Sequence, residues 1–397
     1  MGIREESAEG KAPKLMVIPR TAVVREAGSY FVTSEFAAFL RVLAEKWGRN
    51  QLIVTARRVV TTEYLEEITD YVDEVLFLPW RKHPMLISKI MDFVNTFVLL
   101  KRYARQSDAF YIILPSYWGI IAAIWVVMAR KTVVLEISGD IRKALPATSK
   151  LRLGKSLMKV WAELWDVMLV WCAKRATAVV VSAGKLAKRY STKTLLVFRP
   201  FFVVPKDDLY LREDSCLSSQ IKLLYVGALA YHKGVEVLIR AMSLLPKNEY
   251  ELILVGRDVT EGKIAQEVKR LGLTRVVQFK GYVPHNPDFW QLYREADIFV
   301  LPSFTEGTPR VLYEAMSQSL PIITTPVGAI PKFLEDGKTA IFVDPGIPEE
   351  IADAVLLIAN NAELRQRLIK ESYKKLQKLM SDDWLQSVVS ILKGGDK

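Results

Sequence analysis

Cysteine and histidine are scarce in this sequence. The two cysteines, Cys172 and Cys216, have no paired spacing, which argues against a disulfide framework and against a structural zinc site. The three histidines, His83, His232 and His285, lie far apart, so we expect no histidine-based metal site. So few cysteines are typical of a reducing compartment, and we expect a cytoplasmic protein.

Long apolar segments are also rare. The segment 1–14 is polar and charged, so we expect no signal peptide. One uncharged run, 109–129, has the length of a membrane span, but Pro115 and Ser116 divide it. We interpret its two parts, AFYIIL and WGIIAAIWVVMA, as a buried strand and a buried helix, and a membrane span is the alternative.

Acidic residues are under-represented in one part of the chain. The formal charge is +11, and the segment 142–193 holds twelve lysines and arginines against two acidic residues, an excess of ten positive charges. A local excess predicts a local anionic partner, which could be a lipid, an acceptor or a nucleic acid. No nucleic-acid-binding motif accompanies the charge, so we expect no nucleic acid partner.

Short apolar runs rich in valine and isoleucine alternate with helix-length segments along the whole chain. Examples are KLMVIP, AFYIIL and TVVLEI in the first half and IKLLYVG, YELILVG and DIFVLP in the second. Runs without period-two alternation are typical of parallel strands that are buried on both faces. The sequence therefore predicts an α/β fold with two Rossmann-like, doubly wound parallel-sheet domains.

A stretch rich in proline, serine and charge, 200–220, predicts the domain boundary. We predict an N-terminal domain at 1–205 and a C-terminal domain at 206–380. A helix and tail at 381–397 would pack back on the N-terminal domain. Within the first domain we predict helices at 31–47 and 151–174.

The stretch SFTEGTPRVLYEAM follows a predicted strand and combines several candidate ligand-binding residues. Thr308 as the cap and Pro309 as the first helical residue predict a helix whose N-terminus favours phosphate. Gly307 would let the backbone approach a ligand. Glu306 lies just before this terminus, and Glu314 lies about 9 Å along the helix at 1.5 Å per residue. The alternatives are a solvated loop acid for Glu306 and a surface pair of Arg310 with Glu314.

The first strand of the second half leads to another candidate phosphate contact. In LLYVGALAYHKGVEVLIRA the strand ends at Gly227, and Lys233 stands at the entrance of a helix. A lysine there can neutralise a diphosphate, and a solvated lysine near a helix cap is the alternative. No G-x-G-x-x-G, G-x-S-x-G or complete Walker loop occurs.

Together these residues resemble glycosyltransferase family 4, the group 1 glycosyltransferases. The resemblance covers about 221–360 and rests on Glu306 and Glu314 with seven residues between them, and on VGALAYHKG, VGRD and FKGYVP. It implies a GT-B fold, in which the two Rossmann-like domains face a cleft, with 1–205 as the acceptor-side domain and 206–380 as the nucleotide-sugar-binding domain. It further implies a nucleotide-sugar donor, retention of anomeric configuration and no obligatory metal or other cofactor. The lack of an Asp-x-Asp triplet agrees with metal independence.

Carried over by position, the resemblance implies individual roles. Glu314 resembles the carboxylate that binds ribose, Glu306 the one near the donor sugar, and Lys233 a diphosphate contact. Tyr282 stands where the family holds the base. Arg310 is a further candidate for the diphosphate.

The sequence also departs from the family at three places. Ala228 stands where the family usually has arginine. The stretch AGSY has one glycine where a Gly-Gly loop is usual, and Ser138 stands where a histidine is frequent. Charge neutralisation would therefore depend more on Lys233, on the helix N-terminus and on Arg310.

The resemblance predicts a retaining, metal-independent hexosyltransferase that moves a sugar from a UDP- or GDP-sugar to a glycan or lipid-linked acceptor. Asp140, after a strand of the first domain, is a candidate for contact with acceptor or sugar, and a structural turn is the alternative. The rival functions are a sugar-nucleotide hydrolase or epimerase of GT-B fold and a non-catalytic, basic membrane-binding protein.

The predicted helix at 151–174 raises the question of a membrane. Trp161, Trp165, Met168 and Cys172 fall on one helical stripe, which indicates either a core-facing side or a membrane-facing side. With the charge excess of 142–193, this pattern predicts docking on an anionic membrane at the inner face of the cell membrane.

Overall fold

The computed structural model describes residues 13–20, 23–48, 52–56, 65–77, 97–98, 101–102, 105–142, 152–181, 185–190, 192, 194–197, 204, 209–246, 248–381 and 384–394. Contacts divide the chain into two compact units. The first comprises Met1–Phe198 with Trp384–Lys397, and the second comprises Arg199–Asp383. The predicted boundary at 205/206 and the part of the basic segment at 143–151 lie outside the described residues.

The first unit is built on a seven-stranded parallel sheet in the order β10-β9-β8-β7-β1-β4-β6. The four neighbouring strands β9, β8, β7 and β1 are buried at all but two positions, as expected for a parallel sheet that helices cover. The strands are β1 Leu15–Ile18, β4 Leu52–Ala56, β6 Glu74–Phe77, β7 Ala109–Leu114, β8 Thr132–Ile137, β9 Ala178–Val181 and β10 Leu195–Val197. The helices are α1 Ser34–Trp47, α2 Tyr117–Met128, α3 Arg152–Ala173, α4 Lys185–Arg189 and, at the C-terminus, α12 Trp384–Leu392. Helix α12 packs against α1 and β8.

The uncharged run 109–129 forms the strand β7 and the helix α2, so the interpretation as strand and helix is confirmed. Ser116 caps α2, because its side chain accepts a hydrogen bond from the backbone N–H of Gly119. None of the helices in the described part of the chain combines the length and apolarity that a bilayer crossing requires.

A small antiparallel sheet in the first unit was not predicted. It consists of β2 Val24–Glu26, β3 Ser29–Thr33 and β5 Leu65–Glu67. The prediction of a helix from residue 31 was therefore wrong at its start, since β3 pairs with both neighbours and α1 begins at Ser34. Gly28, considered as part of a ligand loop, lies in the turn between β2 and β3 with φ of 95°.

The second unit is built on a six-stranded parallel sheet in the order β13-β12-β11-β14-β15-β16. Its strands are β11 Ile221–Val226, β12 Tyr250–Val255, β13 Val277–Gly281, β14 Ile298–Leu301, β15 Ile322–Thr324 and β16 Ile341–Phe342. Its helices are α5 Val235–Leu244, α6 Lys263–Arg270, α7 Pro287–Glu295, α8 Arg310–Ser317, α9 Ile330–Phe333, α10 Pro348–Asn360 and α11 Ala362–Ser381. The prediction of two Rossmann-like parallel-sheet domains is confirmed.

Candidate functional site

The strand order of the second unit has its switch point between β11 and β14. From β11 the chain continues to β12 and β13 on one side, and β14 lies on the other side with β15 and β16. Loops that leave these two strands at their carboxyl ends therefore run in opposite directions and open a crevice, where ligands of such sheets bind. The backbone N–H of Phe304 donates to the carbonyl of His232 at 3.0 Å and joins the two loops.

An ion pair connects the two sides of this switch point. The ammonium group of Lys233 lies 2.7 Å from the Glu306 carboxylate, and the side chains are 24% and 6% exposed. The Ser303 hydroxyl also donates to this carboxylate, at 2.7 Å. Lys233 ends a short 3₁₀ turn, Tyr231–Lys233, just before α5. The structure thus brings together two predicted site residues that are 73 positions apart in the chain.

The strand β11 contributes a buried tyrosine beneath the ion pair. The Tyr225 hydroxyl donates to the carbonyl of Ala228 at 2.9 Å. Burial first, and then the negative charge of Glu306, raise the pKa of Tyr225, so its hydroxyl stays protonated. Gly227, with φ of 152°, turns the chain away from the strand in a conformation that other residues rarely adopt.

The helix α8 begins one residue later than predicted, and Thr308 is not its cap. Pro309 is the N-cap residue and has an extended backbone, so Arg310 is the first helical residue, and no side chain caps the terminus. The hydroxyl of Thr308 is buried and has no hydrogen-bond partner among the described residues. The terminus still presents backbone N–H groups to the end of the loop that carries Glu306.

The loop before α8 is open at its own glycine, Gly307, and packs closely against Gly328 in the turn after β15. Gly307 is exposed, and a Cβ there would meet no atom within 4 Å. A Cβ on Gly328, by contrast, would lie 2.0 Å from the carbonyl oxygen of Glu306. The backbone N–H of Ala329 also donates to the carbonyl of Gly307, at 3.0 Å. The turn at 328–329 therefore fixes the position of the backbone at Glu306 and Gly307.

Glu314 is a buried carboxylate with two hydrogen-bonding partners. Its side chain is 3% exposed, and one oxygen accepts from the Tyr293 hydroxyl at 2.6 Å. The other lies 3.0 Å from Nε2 of His285. Burial first, and then the charge of Glu314, raise the pKa of Tyr293. Glu314 is therefore not part of a surface pair with Arg310, which was the alternative interpretation of the sequence.

His285 and Tyr293 were missed in the sequence. His285 was considered only as a metal ligand, and Tyr293 stands in an unremarkable helical segment. The signal that could have found these two residues is the position of Glu314 in α8, where its neighbours in the sequence are buried. A buried carboxylate needs hydrogen-bond donors, so donors such as histidine and tyrosine should be sought nearby.

Tyr282 stands after β13 and is partly buried. The guanidinium group of Arg257 lies over its ring, 5.5 Å from the centroid. Arg257 follows β12 in VGRD, so these side chains line the same carboxyl edge of the sheet.

Asp140 belongs to the first unit and is engaged locally. Its carboxylate accepts from the backbone N–H of Arg142 at 3.0 Å and from the Arg142 guanidinium at 3.2 Å. This arrangement is that of a structural turn, which was the alternative to a contact with acceptor or sugar.

Comparison with known proteins finds similarity to glycosyltransferases in the second unit. Residues 212–375 match the family model of glycosyl transferases group 1. An uncharacterized glycosyltransferase of Methanocaldococcus jannaschii is 29% identical over 173 residues, 43% of this chain and 44% of the relative. The alpha-D-kanosaminyltransferase of Streptomyces kanamyceticus is 31% identical over 166 residues, 41% of this chain and 42% of the relative. The chain thus spans less than half the length of these two relatives.

Solved structures resemble almost the whole chain. HepE of Anabaena, solved with UDP and glucose, is 16% identical, covers 96% of this chain and 100% of its own, and has a TM-score of 0.68. WaaG, a glycosyltransferase involved in lipopolysaccharide biosynthesis, is 15% identical with the same coverage and a TM-score of 0.67. At these identities the likeness shows the fold, which is GT-B as predicted.

Proposed function

From the match of residues 212–375 to the glycosyl transferases group 1 model, we propose that the protein is a retaining glycosyltransferase with a nucleotide-sugar donor. The acceptor in this proposal is a glycan or a lipid-linked glycan, and the transferred group is a hexose. The whole activity is proposed for the full chain, in a cytoplasmic location, without a metal or other cofactor.

The observation that carries the proposal is the pair of Lys233 and Glu306 across the switch point of the second sheet. When the bond between sugar and diphosphate breaks, negative charge develops on the departing diphosphate. Lys233 and the uncapped terminus of α8 are the positive groups at this point. Arg310 at the first position of α8 is the next cation along the chain.

In the proposed complex Lys233 has two anionic partners. Without donor, its ammonium group binds Glu306. With donor, the ammonium group contacts the diphosphate, and Glu306 turns an oxygen to the hydroxyl groups of the sugar. Ser303 holds the carboxylate of Glu306 in both states.

Glu314 is proposed to bind the ribose hydroxyls. Each carboxylate oxygen accepts more than one hydrogen bond, so the contacts with Tyr293 and His285 leave acceptor capacity. These contacts fix the carboxylate for the ribose. The nucleotide base is assigned to the edge at Tyr282 and Arg257. UDP- and GDP-sugars are the proposed donors, and UDP in the HepE structure makes UDP-sugars the first to test.

Retention is proposed to proceed without a protein base. A leaving phosphate oxygen on the same face of the sugar can take the proton of the acceptor hydroxyl. Asp140 is the proposed contact with the acceptor. To make this contact its carboxylate must first separate from Arg142, which donates hydrogen bonds to it in the structure.

The test is isothermal titration of the full chain with UDP-, GDP- and ADP-sugars and with the free nucleotides, followed by turnover measurements. Glu306→Gln should bind the free nucleotide like wild type but lose the additional affinity for the nucleotide sugar, together with most of the turnover. Glu335→Gln is the matched control, because Glu335 also pairs with a lysine, Lys338, at 2.8 Å but is exposed. Equal losses for nucleotide and nucleotide sugar would refute the assignment of Glu306 to the sugar.

A further inference from the structure

The helix α3 of the first unit presents an apolar face to solvent. Five large apolar side chains on this face are between 36% and 64% exposed: Val160, Trp161, Leu164, Val167 and Trp171. We call these five residues the α3 stripe. Four of them follow the i, i+4, i+7, i+11 spacing of one helical face, and from Trp161 to Trp171 the stripe is about 15 Å long at 1.5 Å per residue.

The α3 stripe differs from the stripe predicted from the sequence. Of the four residues predicted, Cys172 is buried, and Trp165 packs against the core of the first unit. That set is therefore mostly the core-facing side, and Trp161 alone belongs to the exposed stripe. One side of α3 thus packs against the core of this unit. The α3 stripe lies on another side and takes no part in the core of the described residues.

Cations border the α3 stripe. Lys159 and Lys174 are exposed on the same helix or at its end. The Arg175 guanidinium lies over the ring of Trp171, 4.5 Å from its centroid. An apolar face with a basic border is the pattern of helices that lie in a membrane interface, and tryptophan favours that depth.

A basic cavity adjoins the stripe at Val167. It has a volume of about 570 Å³ and is lined by Arg142, Asp166, Val167, Val170, Lys188 and Arg189. Lys188 on α4 is exposed and has no ion pair among the described residues. The cavity thus combines three cationic side chains with an apolar wall that continues into the α3 stripe.

A buried aspartate holds the guanidinium groups of this cavity. Asp166 is fully buried, and its carboxylate accepts hydrogen bonds from Arg189 and from the hydroxyl of Tyr190. Arg142 lies 4.0 Å from the same carboxylate. Because Asp166 is covered while Arg142 and Arg189 are partly exposed, the cavity presents its positive groups outward.

We propose that the α3 stripe and the basic cavity dock the first unit on an anionic lipid bilayer. The stripe enters the interface between headgroups and acyl chains, and the cavity receives the phosphate of an anionic lipid. An anionic bilayer has a layer of negative headgroups above an apolar layer of acyl chains. The protein matches this arrangement, because the basic border and cavity lie beside the apolar α3 stripe. The proposal does not rest on the donor chemistry of the second unit.

The test is co-sedimentation of the full chain, without nucleotide, with vesicles of phosphatidylcholine alone or mixed with phosphatidylglycerol, at low and high salt. Wild type should bind the mixed vesicles, less so at high salt, and bind pure phosphatidylcholine weakly. The variant Trp161→Ser with Leu164→Ser should lose on the order of tenfold or more in affinity, because two interfacial side chains are removed. Lys188→Gln should lose about fivefold, the share of one cation near an anionic surface.

The matched control is Leu217→Ser with Val259→Ser in the second unit, where both side chains are more than half exposed. This variant should bind vesicles like wild type, and unfolding curves should show that all variants are folded. Failure of wild type to bind mixed vesicles at low salt would overturn the proposal, as would unchanged binding of the stripe variant. If analytical ultracentrifugation showed that wild type is a dimer and that the stripe variant is a monomer, the α3 stripe would be an interface with a second copy of the chain. That result would also overturn the proposal. All of these outcomes are independent of nucleotide-sugar binding.

Discussion

At the residue scale, the carboxylate of Glu314 is buried and is also the group proposed to bind the ribose. It is almost inaccessible, yet Tyr293 and His285 direct hydrogen bonds to its two oxygens. Removing the carboxylate leaves a buried hydroxyl without its acceptor, which costs about 1–3 kcal/mol. A loss of nucleotide affinity on mutation must therefore be separated from a loss of stability.

We predict that Glu314→Ala weakens nucleotide binding and also lowers the free energy of unfolding. Tyr293→Phe should lower stability by less, since it removes the donor and leaves the carboxylate its bond with His285. It should also retain most of the nucleotide affinity. Titration calorimetry with the cognate nucleotide and denaturant unfolding measure the two quantities. If Glu314→Ala binds the nucleotide like wild type, the carboxylate does not bind the ribose.

Lys233 carries the prediction for catalysis. Lys233→Ala should lower kcat by roughly a hundredfold, because one charged contact with a developing charge contributes about 3 kcal/mol. Lys263→Ala, at the start of α6, serves as a control for loss of a surface lysine and should turn over like wild type. Wild-type turnover of the Lys233 variant would mean that other groups hold the diphosphate.

Glu306 and Lys233 could be found in the sequence because each follows a strand end, where ligands of such sheets bind. Their direct pairing could not, since it depends on the sheet order that places β11 beside β14. The donors to Glu314 were missed for the same reason: they come from the segment between β13 and β14, and only packing brings them to α8.

At the element scale, the turn after β15 supports the loop after β14. Gly328 has φ of 62°, and its missing side chain lets the carbonyl of Glu306 approach. Gly337 has nearly the same φ, 67°, but a Cβ there would meet no atom within 4 Å. The two positions therefore differ in the close approach and not in the backbone conformation.

We predict that Gly328→Ala destabilises the protein more than Gly337→Ala does. Both variants incur about 1–2 kcal/mol for a left-handed backbone, and the first must in addition move the loop that carries Glu306. Denaturant unfolding should show the difference, and turnover should fall at least about tenfold in Gly328→Ala alone, because small displacements of a reacting group are costly. Equal stability and turnover in the two variants would show that this contact does not position Glu306.

The parallel strands of both units were predictable, because strands buried on both faces appear as short apolar runs without period-two alternation. The antiparallel strands β2, β3 and β5 were not, since they are short, and β5 has the sequence LEE, which lacks an apolar pattern. The start of α8 was also mispredicted, because Thr308 followed by Pro309 fits a capped helix in sequence while the chain at Pro309 is still extended.

At the scale of the whole molecule, a buried ion pair ties the beginning of the second unit to α11. The Arg365 guanidinium donates to both oxygens of Asp214, at 2.6 and 3.0 Å, and its side chain is almost inaccessible. Burial alone would raise the pKa of Asp214. Hydrogen bonds from Arg365, Ser215 and Gln366 outweigh this effect and hold the pKa below its ordinary value.

We predict that Asp214→Asn lowers the free energy of unfolding near neutral pH by about 3–5 kcal/mol, because Arg365 is left buried without its counter-charge. A depressed folded-state pKa contributes stability above the unfolded-state pKa of about 3.9, and this contribution is lost as pH falls through the lower folded-state pKa. The gap between variant and wild type should therefore narrow below about pH 4. Unfolding curves over this range measure it, and a gap that is independent of pH would contradict the account.

The most direct test of the donor site is hydrogen–deuterium exchange of the full chain with and without the nucleotide it binds most tightly among UDP, GDP and ADP. The nucleotide should slow exchange in the loops at the carboxyl edge of the second sheet, 227–234, 281–286 and 302–310, and in α8. Lys233→Ala should reduce protection in the first and third of these loops more than in the second, where the base is assigned. Binding with protection confined to other parts of the chain, or no binding of any of the three nucleotides, would contradict a donor site between β11 and β14.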